Sequence, residues 1–185
     1  MVSSFDGLKG WNADEILLLY GLSTLSYSIG AAFFYTPATE LGGKIRSGEF
    51  DGSLTRPLHP FVQEMFGGFN FGYVSHFTLS LAIMLYALIK LGFRFDAAGV
   101  LRLLLMVMGA ARVQAAGLIA ASVMSFFTVN GNPVLDFLLF KIKKFTNYPI
   151  TVFPYGIQFI LTFLLPYAFI NFYPASMLLG KTVPE

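Results

Sequence analysis

A short charge-dense block interrupts an otherwise apolar chain. Its charged residues between positions 40 and 64 are Glu40, Lys44, Arg46, Glu49, Asp51, Arg56 and Glu64. Gly48 and Gly52 bracket an acidic turn, and Pro57 stiffens the exit. A short helix here would carry the apolar side chains of Phe50 and Leu54, which are four positions apart, on one face. Such a compact face can dock on another protein, and the alternative is an ordinary solvated loop.

Residue types elsewhere exclude several other chemistries. The chain has no cysteine, and its two histidines, His59 and His76, have no neighbours at metal-ligand spacing. The run Ala175–Thr182 ends in Gly-Lys-Thr like a phosphate loop, but it lacks the first glycine and a following helix. We therefore expect no nucleotide site there, and we expect Lys181 to anchor the chain at a membrane interface. A net charge of +2 gives no reason to expect a nucleic-acid partner.

Long uncharged runs surround the block. They are Ile16 to Thr39, Met65 to Ile89, Val113 to Leu135 and Phe145 to Gly180. About 20 apolar residues suffice for a helix to cross the ~30 Å hydrocarbon core of a bilayer. Only 12% of the residues are charged, whereas soluble domains have about 25%. The sequence therefore predicts an all-α integral membrane protein.

The helical spans can be placed approximately within these runs. They are Ile16 to Phe34, Phe71 to Leu91, Val100 to Phe127 and Tyr155 to Phe172. Pro166 should kink the last one, because proline removes a backbone donor and crowds the preceding turn. The amphipathic stretch Val134–Thr146 is compatible with a short crossing, a re-entrant half-helix or an interfacial helix.

Basic residues in short loops predict the orientation. The block carries Lys44, Arg46 and Arg56, which places it in the cytoplasm and leaves the start of the first span outside. The side on which Lys181 lies depends on Val134–Thr146. If that stretch crosses, Lys181 is cytoplasmic, and if it does not, Lys181 is outside.

Polar residues inside the third span suggest a second functional region. Arg112 and Gln114 fall near its middle, where an arginine is costly unless it faces protein or water. We expect Arg112 to line a pathway or a dimer seam, the alternatives being a structural pair with Asp136 or Glu40 or a local water-filled dent in the bilayer. Small residues four apart should allow close helix packing within or between subunits. These pairs are Ala111/Ala115, Ala116/Ala120 and Gly117/Ala121.

Two ordered motifs resemble those of a known family. The first comprises Ile45–Asp51 and Leu54–Leu58. The second comprises Asn147–Ile150, Leu165–Ile170, Tyr173–Ala175 and Leu179-Gly180. Together with Trp11 they resemble permease subunits of type 2 ATP-binding-cassette exporters, in the bacterial branch whose six-span permeases work with a separately encoded ATPase.

The resemblance implies a specific organisation. Residues 1–185 would form one permease domain whose loop, at about 40–66, carries a coupling helix that docks on the ATPase. The implied docking residues are Lys44, Arg46, Glu49, Phe50, Asp51, Leu54, Arg56 and Pro57. The family has roughly one more span before Trp11, so about five inserted segments are expected here. Val134–Thr146 would be a short fifth span, with Tyr148-Pro149-Ile150 outside and the C-terminus inside.

The resemblance also implies a function and partners. We expect a permease in the bacterial plasma membrane that exports a hydrophobic or amphipathic substrate without a cofactor of its own. Its partners would be a second copy or a sister permease, the ATPase and membrane lipid. The candidates for the pathway or for helix packing are Arg112, Gln114, Gly117 and Pro166.

The alternative functions are a secondary transporter, a channel-like protein or a structural membrane subunit. Ion-coupled transport usually needs a carboxylate inside the membrane, and the spans contain none.

Overall fold

The chain folds into a helical bundle around one very long helix. The computed structural model describes residues 10–128, 137–142 and 145–181, and these ranges contain no β-strand. The first five helices are α1 (Ala13–Ser47), α2 (Glu49–Leu54), α3 (Pro60–Gly67), α4 (Tyr73–Lys90) and α5 (Ala97–Met124). Then come a π-helical turn (Phe137–Ile142), a 3-10 turn (Ile150–Val152), α6 (Tyr155–Phe159) with its π-helical continuation (Ile160–Leu164), a 3-10 turn (Tyr167–Phe169) and α7 (Phe172–Leu179).

Helix α1 is longer than the sequence indicates. It begins after Asn12, whose backbone N–H donates to the Glu15 carboxylate at 2.7 Å. It continues through Pro37 and ends at Gly48, where φ is +75°. The predicted end of the first span at Phe34 is therefore not the end of the helix. Charged residues cannot stay in hydrocarbon, but they can extend a helix into water, where they are solvated.

Glycines let α4 and α5 approach α1 closely. A methyl group added at Gly21 would meet the backbone of Met84 in α4 at 3.0 Å. One added at Gly30 would lie 3.2 Å from backbone atoms of Ala111 and Ala115 in α5. The expected role of the Ala111/Ala115 pair in helix packing is thus confirmed within the subunit.

The register of the three helices defines a membrane slab. The backbone N–H of Asn70 donates to the carbonyl of Ala32 at 2.9 Å, so α4 begins beside Ala32 and runs back along α1. The 18 residues of α4 span about 27 Å at 1.5 Å per residue, close to the hydrocarbon thickness. Counting from the Gly21 contact sets Lys90 level with Glu15. The 35 residues of α1 are about 52 Å long, so roughly 20 Å of α1 extends beyond this slab.

Two ends of the bundle follow from this register. The loop end carries the last turns of α1 with α2 and α3. The far end is where α1 begins and α4 ends. Helix α5 runs parallel to α1, from the far end towards the loop end.

The fourth predicted span is broken, not kinked. The segments Tyr155–Leu164 and Tyr167–Leu179 meet at an angle of 80°. Leu165 (φ −125°, ψ 88°) lies outside the α-helical region, which a following proline disfavours. A single helix from Tyr155 to Phe172 is therefore wrong, although the break falls at Pro166 as the sequence predicts. The described residues hold three helices that could cross a membrane, or four if this bent pair counts as one span.

Lys181 lies at the far end of the bundle. Its ammonium nitrogen is 2.6 Å from the Glu15 carboxylate and donates to the Gly10 carbonyl at 2.8 Å. It also lies 4.4 Å from the centre of the Trp11 ring. Residue 181 therefore shares the side on which α1 begins, and the implied C-terminus on the side of the charged block is wrong for this residue.

The proposed fifth span lies mostly outside the described residues. Of Val134–Thr146, the structure describes Phe137–Ile142, Phe145 and Thr146. The hydroxyl of Thr146 is 2.9 Å from that of Ser23, which is about 15 Å along α1 from its start. Thr146 therefore lies within the slab, and whether the whole stretch crosses stays a prediction.

Gly21→Ala tests the close packing of α1 and α4. Alanine gains about 0.5–1 kcal/mol over glycine in a helix, but overpacking costs about 1–3 kcal/mol. We expect the free energy of unfolding in mixed micelles, followed by circular dichroism, to fall by about 1–2 kcal/mol. Gly109→Ala is the control, because no atom lies within 4 Å of its added methyl group. Equal stability of the two variants would contradict the packing.

Candidate docking loop and membrane-facing residues

The loop end presents a short helix on the protruding part of α1. Gly48 adopts the left-handed conformation, which ends α1 and lets the chain reverse into α2 within one residue. The α2 backbone is then followed by the exposed turn containing Arg56 and Pro57. The predicted short helix between two turns is therefore present.

Glu64 of α3 ties three helices together. One carboxylate oxygen is 2.7 Å from the Lys44 ammonium nitrogen on α1, and the other accepts a hydrogen bond from the Ser53 hydroxyl on α2 at 3.1 Å. The Gln63 side-chain amide adds a weak 3.4 Å contact to the same hydroxyl. The Glu64 side chain is 12% exposed and Ser53 is buried. Helix α2 is thus braced against both α1 and α3.

The brace shifts the pKa of the Lys44 ammonium group. The hydrogen bond to Glu64 raises the pKa of the Lys44 ammonium group above its ordinary 10.5, against the opposing effect of partial burial. A folded-state pKa above the unfolded value contributes stability that is complete below the ordinary value. The contribution is lost only as the pH rises through the raised pKa.

The predicted docking residues divide into three groups. An exposed group faces solvent at the loop end: Arg46, Glu49, Asp51, Leu54, Arg56 and Pro57. Lys44 is engaged by Glu64. Phe50 is half-buried, with its ring 5.4 Å from that of Phe126 in the turn after α5, whereas Leu54 is 57% exposed. Phe50 therefore packs α2 against the turn that follows α5, and Leu54 is the free apolar side chain of the pair.

A small apolar cavity lies beneath α2. It has a volume of about 160 Å³ and is lined by side chains of α1, α2, α3 and α5, among them Leu41, Phe50, Phe61 and Phe126. Glu64 forms its polar edge. The cavity separates α2 from α5 at this point. The position of α2 is therefore fixed by the Phe50–Phe126 contact and by the Glu64 brace, and not by direct packing on α5.

Arg112 lies near the loop-end boundary of the slab, not at its centre. The 28 residues of α5 are about 42 Å long, and their last turns extend past the slab. Arg112 is level with His76, in the first turn of α4. The predicted position near the middle of the helix is thus correct, but the middle of this helix is not the middle of the slab. Arg112 is exposed and makes no ion pair with any described residue. Asp136, one of its two proposed partners, lies outside the described residues.

The other membrane candidates face the protein interior or a break. Gln114 is 3% exposed, and its side-chain NH₂ has no hydrogen-bond partner within the described ranges. A methyl group at Gly117 would lie 2.7 Å from the Tyr167 hydroxyl, so this glycine admits the aromatic side chain. Pro166 is exposed at the 80° bend. Gln114 and Gly117 thus support packing of α5.

Sequence reasoning missed the brace. Glu64 was recognised as charged, but its partners Lys44 and Ser53 are 20 and 11 positions away. No helical periodicity connects such positions. The only available signal was that one acidic residue follows a turn rich in proline.

These observations define the class of the protein. Long apolar helices and a braced polar loop at one end make it an all-α integral membrane protein. A family model described as "ABC-2 family transporter protein" matches residues 1–185. No match was found among curated proteins or among solved structures.

The chain therefore belongs to the ABC-2 transporter family. Proteins of this family are membrane components of ATP-binding-cassette transporters. The family thus implies a transporter system that includes an ATPase partner.

Glu64→Ala tests the brace. The substitution removes the partner of Lys44 and the acceptor of Ser53, so α2 should open more often. After discounting for solvent screening, the loss is about 1 kcal/mol, which makes amide hydrogen exchange over 49–54 about fivefold faster. Glu49→Ala is the control, since Glu49 is exposed and makes no ion pair among the described residues. Exchange unchanged in Glu64→Ala would show that the brace contributes nothing.

Proposed function

We propose that this chain is the transmembrane permease subunit of an ABC-type exporter in a bacterial plasma membrane. It moves a hydrophobic or amphipathic substrate, using ATP hydrolysed by a separate subunit. Residues 40–66 are the coupling loop, and α2 is the helix that docks on the ATPase. A second copy or a sister permease completes the pathway.

The observation that carries this proposal is the continuity of α1. One 35-residue helix runs from the far end of the membrane slab to the turn at Gly48. Helix α2 is held to it through Lys44 and Glu64 at 2.7 Å. A push on α2 is therefore transmitted directly to a membrane-spanning helix. Such transmission is what an ATP-driven two-state transporter requires.

The exposed side of α2 suits a protein partner. Glu49 and Asp51 lie in its first turn, Arg56 follows its end, and Leu54 supplies an apolar contact. Opposite charges around one exposed leucine give both specificity and a small desolvated centre. We infer that these four residues contact the ATPase, while Lys44 and Phe50 hold the helix in place.

The orientation rests on the family and not on the positive-inside rule. Described basic residues gather at both ends of the bundle. At the loop end they are Lys44, Arg46 and Arg56, and at the far end they are Lys90, Arg94, Arg102 and Lys181. Docking on a cytoplasmic ATPase requires the loop end to be cytoplasmic, and we propose that orientation.

Thiol labelling tests the orientation. The chain has no native cysteine, so each introduced cysteine is the only target in the chain. Ser47→Cys at the loop end should react with a membrane-impermeant reagent only in inverted vesicles. Ala97→Cys, also exposed but at the far end, should react in whole cells. The reverse pattern would overturn the orientation.

Charge reversal tests the docking surface. Asp51→Lys and Arg56→Glu each place a like charge against the proposed partner, which should weaken retention of the co-expressed ATPase about tenfold. The amount of permease in the membrane should not change, since both side chains are exposed. Lys90→Glu at the far end is the matched control and should retain the ATPase. Full retention in both reversals would remove α2 as the docking helix.

A further inference from the structure

An open cavity at the far end is lined by two arginines and by apolar side chains. The cavity has a volume of about 300 Å³. Arg94 and Arg102 are the two arginines. Met106 of α5 and Met177 and Leu178 of α7 line its apolar part. No contact described above for the docking loop involves these residues.

The turn before α5 places both arginines in the lining of the same cavity. A methyl group at Gly99 would meet the Arg94 carbonyl at 2.7 Å, so the turn folds back onto the first turn of α5. Asp96 also lines the cavity, but its carboxylate caps α5 by accepting from the Gly99 N–H at 3.2 Å. Neither arginine forms an ion pair with a described residue. The cavity lining therefore has an excess of positive charge.

Arg102 is placed inside the slab but directed towards its surface. It lies four residues, or about 6 Å, deeper than the level of Lys90. Its side-chain Nε donates to the Ala98 carbonyl at 3.2 Å, so the side chain runs back towards the start of α5. This is the geometry of an arginine that keeps its stem in the hydrocarbon and its guanidinium at the headgroup level.

We propose that this cavity binds the headgroup phosphate of an anionic phospholipid, with an acyl chain against Met106. A guanidinium pair matches a phosphate in charge and in hydrogen-bond geometry. Met106, Met177 and Leu178 in the same lining offer an apolar contact to an acyl chain, which a soluble phosphate compound lacks. The exposed α5 side chains next to Arg102, Leu101 and Leu105, continue the apolar surface along which a chain can lie. The site does not depend on ATP coupling or on the direction of transport.

Native mass spectrometry of the purified chain tests the site. The protein is mixed with phosphatidylglycerol or with phosphatidylcholine of the same acyl chains, and the retained lipid is counted. We expect a preference for phosphatidylglycerol. Each basic residue near an anionic headgroup contributes about 1 kcal/mol, or about fivefold, so the double variant R94Q/R102Q should lose about 30-fold of it.

Two variants and one competitor separate the possible outcomes. K90Q removes an exposed cation at the same end but outside the cavity, and it should keep the preference. R94K/R102K keeps both charges and controls for folding, so it should keep most of the preference. An equal loss in K90Q would show diffuse surface charge only, and a complete loss in R94K/R102K would contradict the charge argument. Displacement of phosphatidylglycerol by equimolar glycerol phosphate would show a site for soluble phosphate, which would overturn the lipid proposal.

Discussion

The mismatch between the length of α1 and the thickness of a bilayer governs this structure. A 35-residue helix is about 52 Å long, and only about 30 Å of it can lie in hydrocarbon. The remainder must stand in water, and its charged residues make that possible. Because α4 is the shortest long span, with 18 residues, it sets the slab against which all other positions are measured. The docking loop, the boundary position of Arg112 and the depth of Arg102 all follow from this one register.

The protruding end of α1 packs against the last turns of α5 and carries α2 on a separate brace. Glu64 joins Lys44 to Ser53, and the Phe50 ring packs on Phe126 just after the end of α5. One polar and one aromatic contact therefore attach α2 to α1 and to the turn after α5. The two contacts leave the opposite side of α2 free, including Leu54 at 57% exposure. Anchoring residues thus lie on the side of α2 that faces the bundle, and docking residues lie on its exposed side. This separation is the physical basis of the proposed coupling.

Much of the bundle could be predicted from the sequence, because long uncharged runs indicate membrane-spanning helices. The α4 and α5 spans and the break at Pro166 follow from apolar length and from proline chemistry. The continuation of α1 past Phe34 could not be predicted, since proline and charge are also ordinary signals for the end of a span. The pairing of Glu64 with Lys44 and the contact of Lys181 with Glu15 depend on tertiary register. The level of Arg112 within the bundle depends on the offset between α4 and α5, which the sequence does not show.

Site-specific photocrosslinking from Leu54 tests the central claim most directly. A photoreactive residue at this position, in cells that also produce the associated ATPase, should crosslink the permease to a subunit that mass spectrometry identifies by its phosphate loop and ABC signature. The same residue at Leu85, exposed on the membrane span α4, should give no such product. Crosslinking to the ATPase from Leu54 alone is the result we predict. Crosslinks to lipid only from Leu54, with the ATPase present at normal levels, would contradict α2 as the coupling helix.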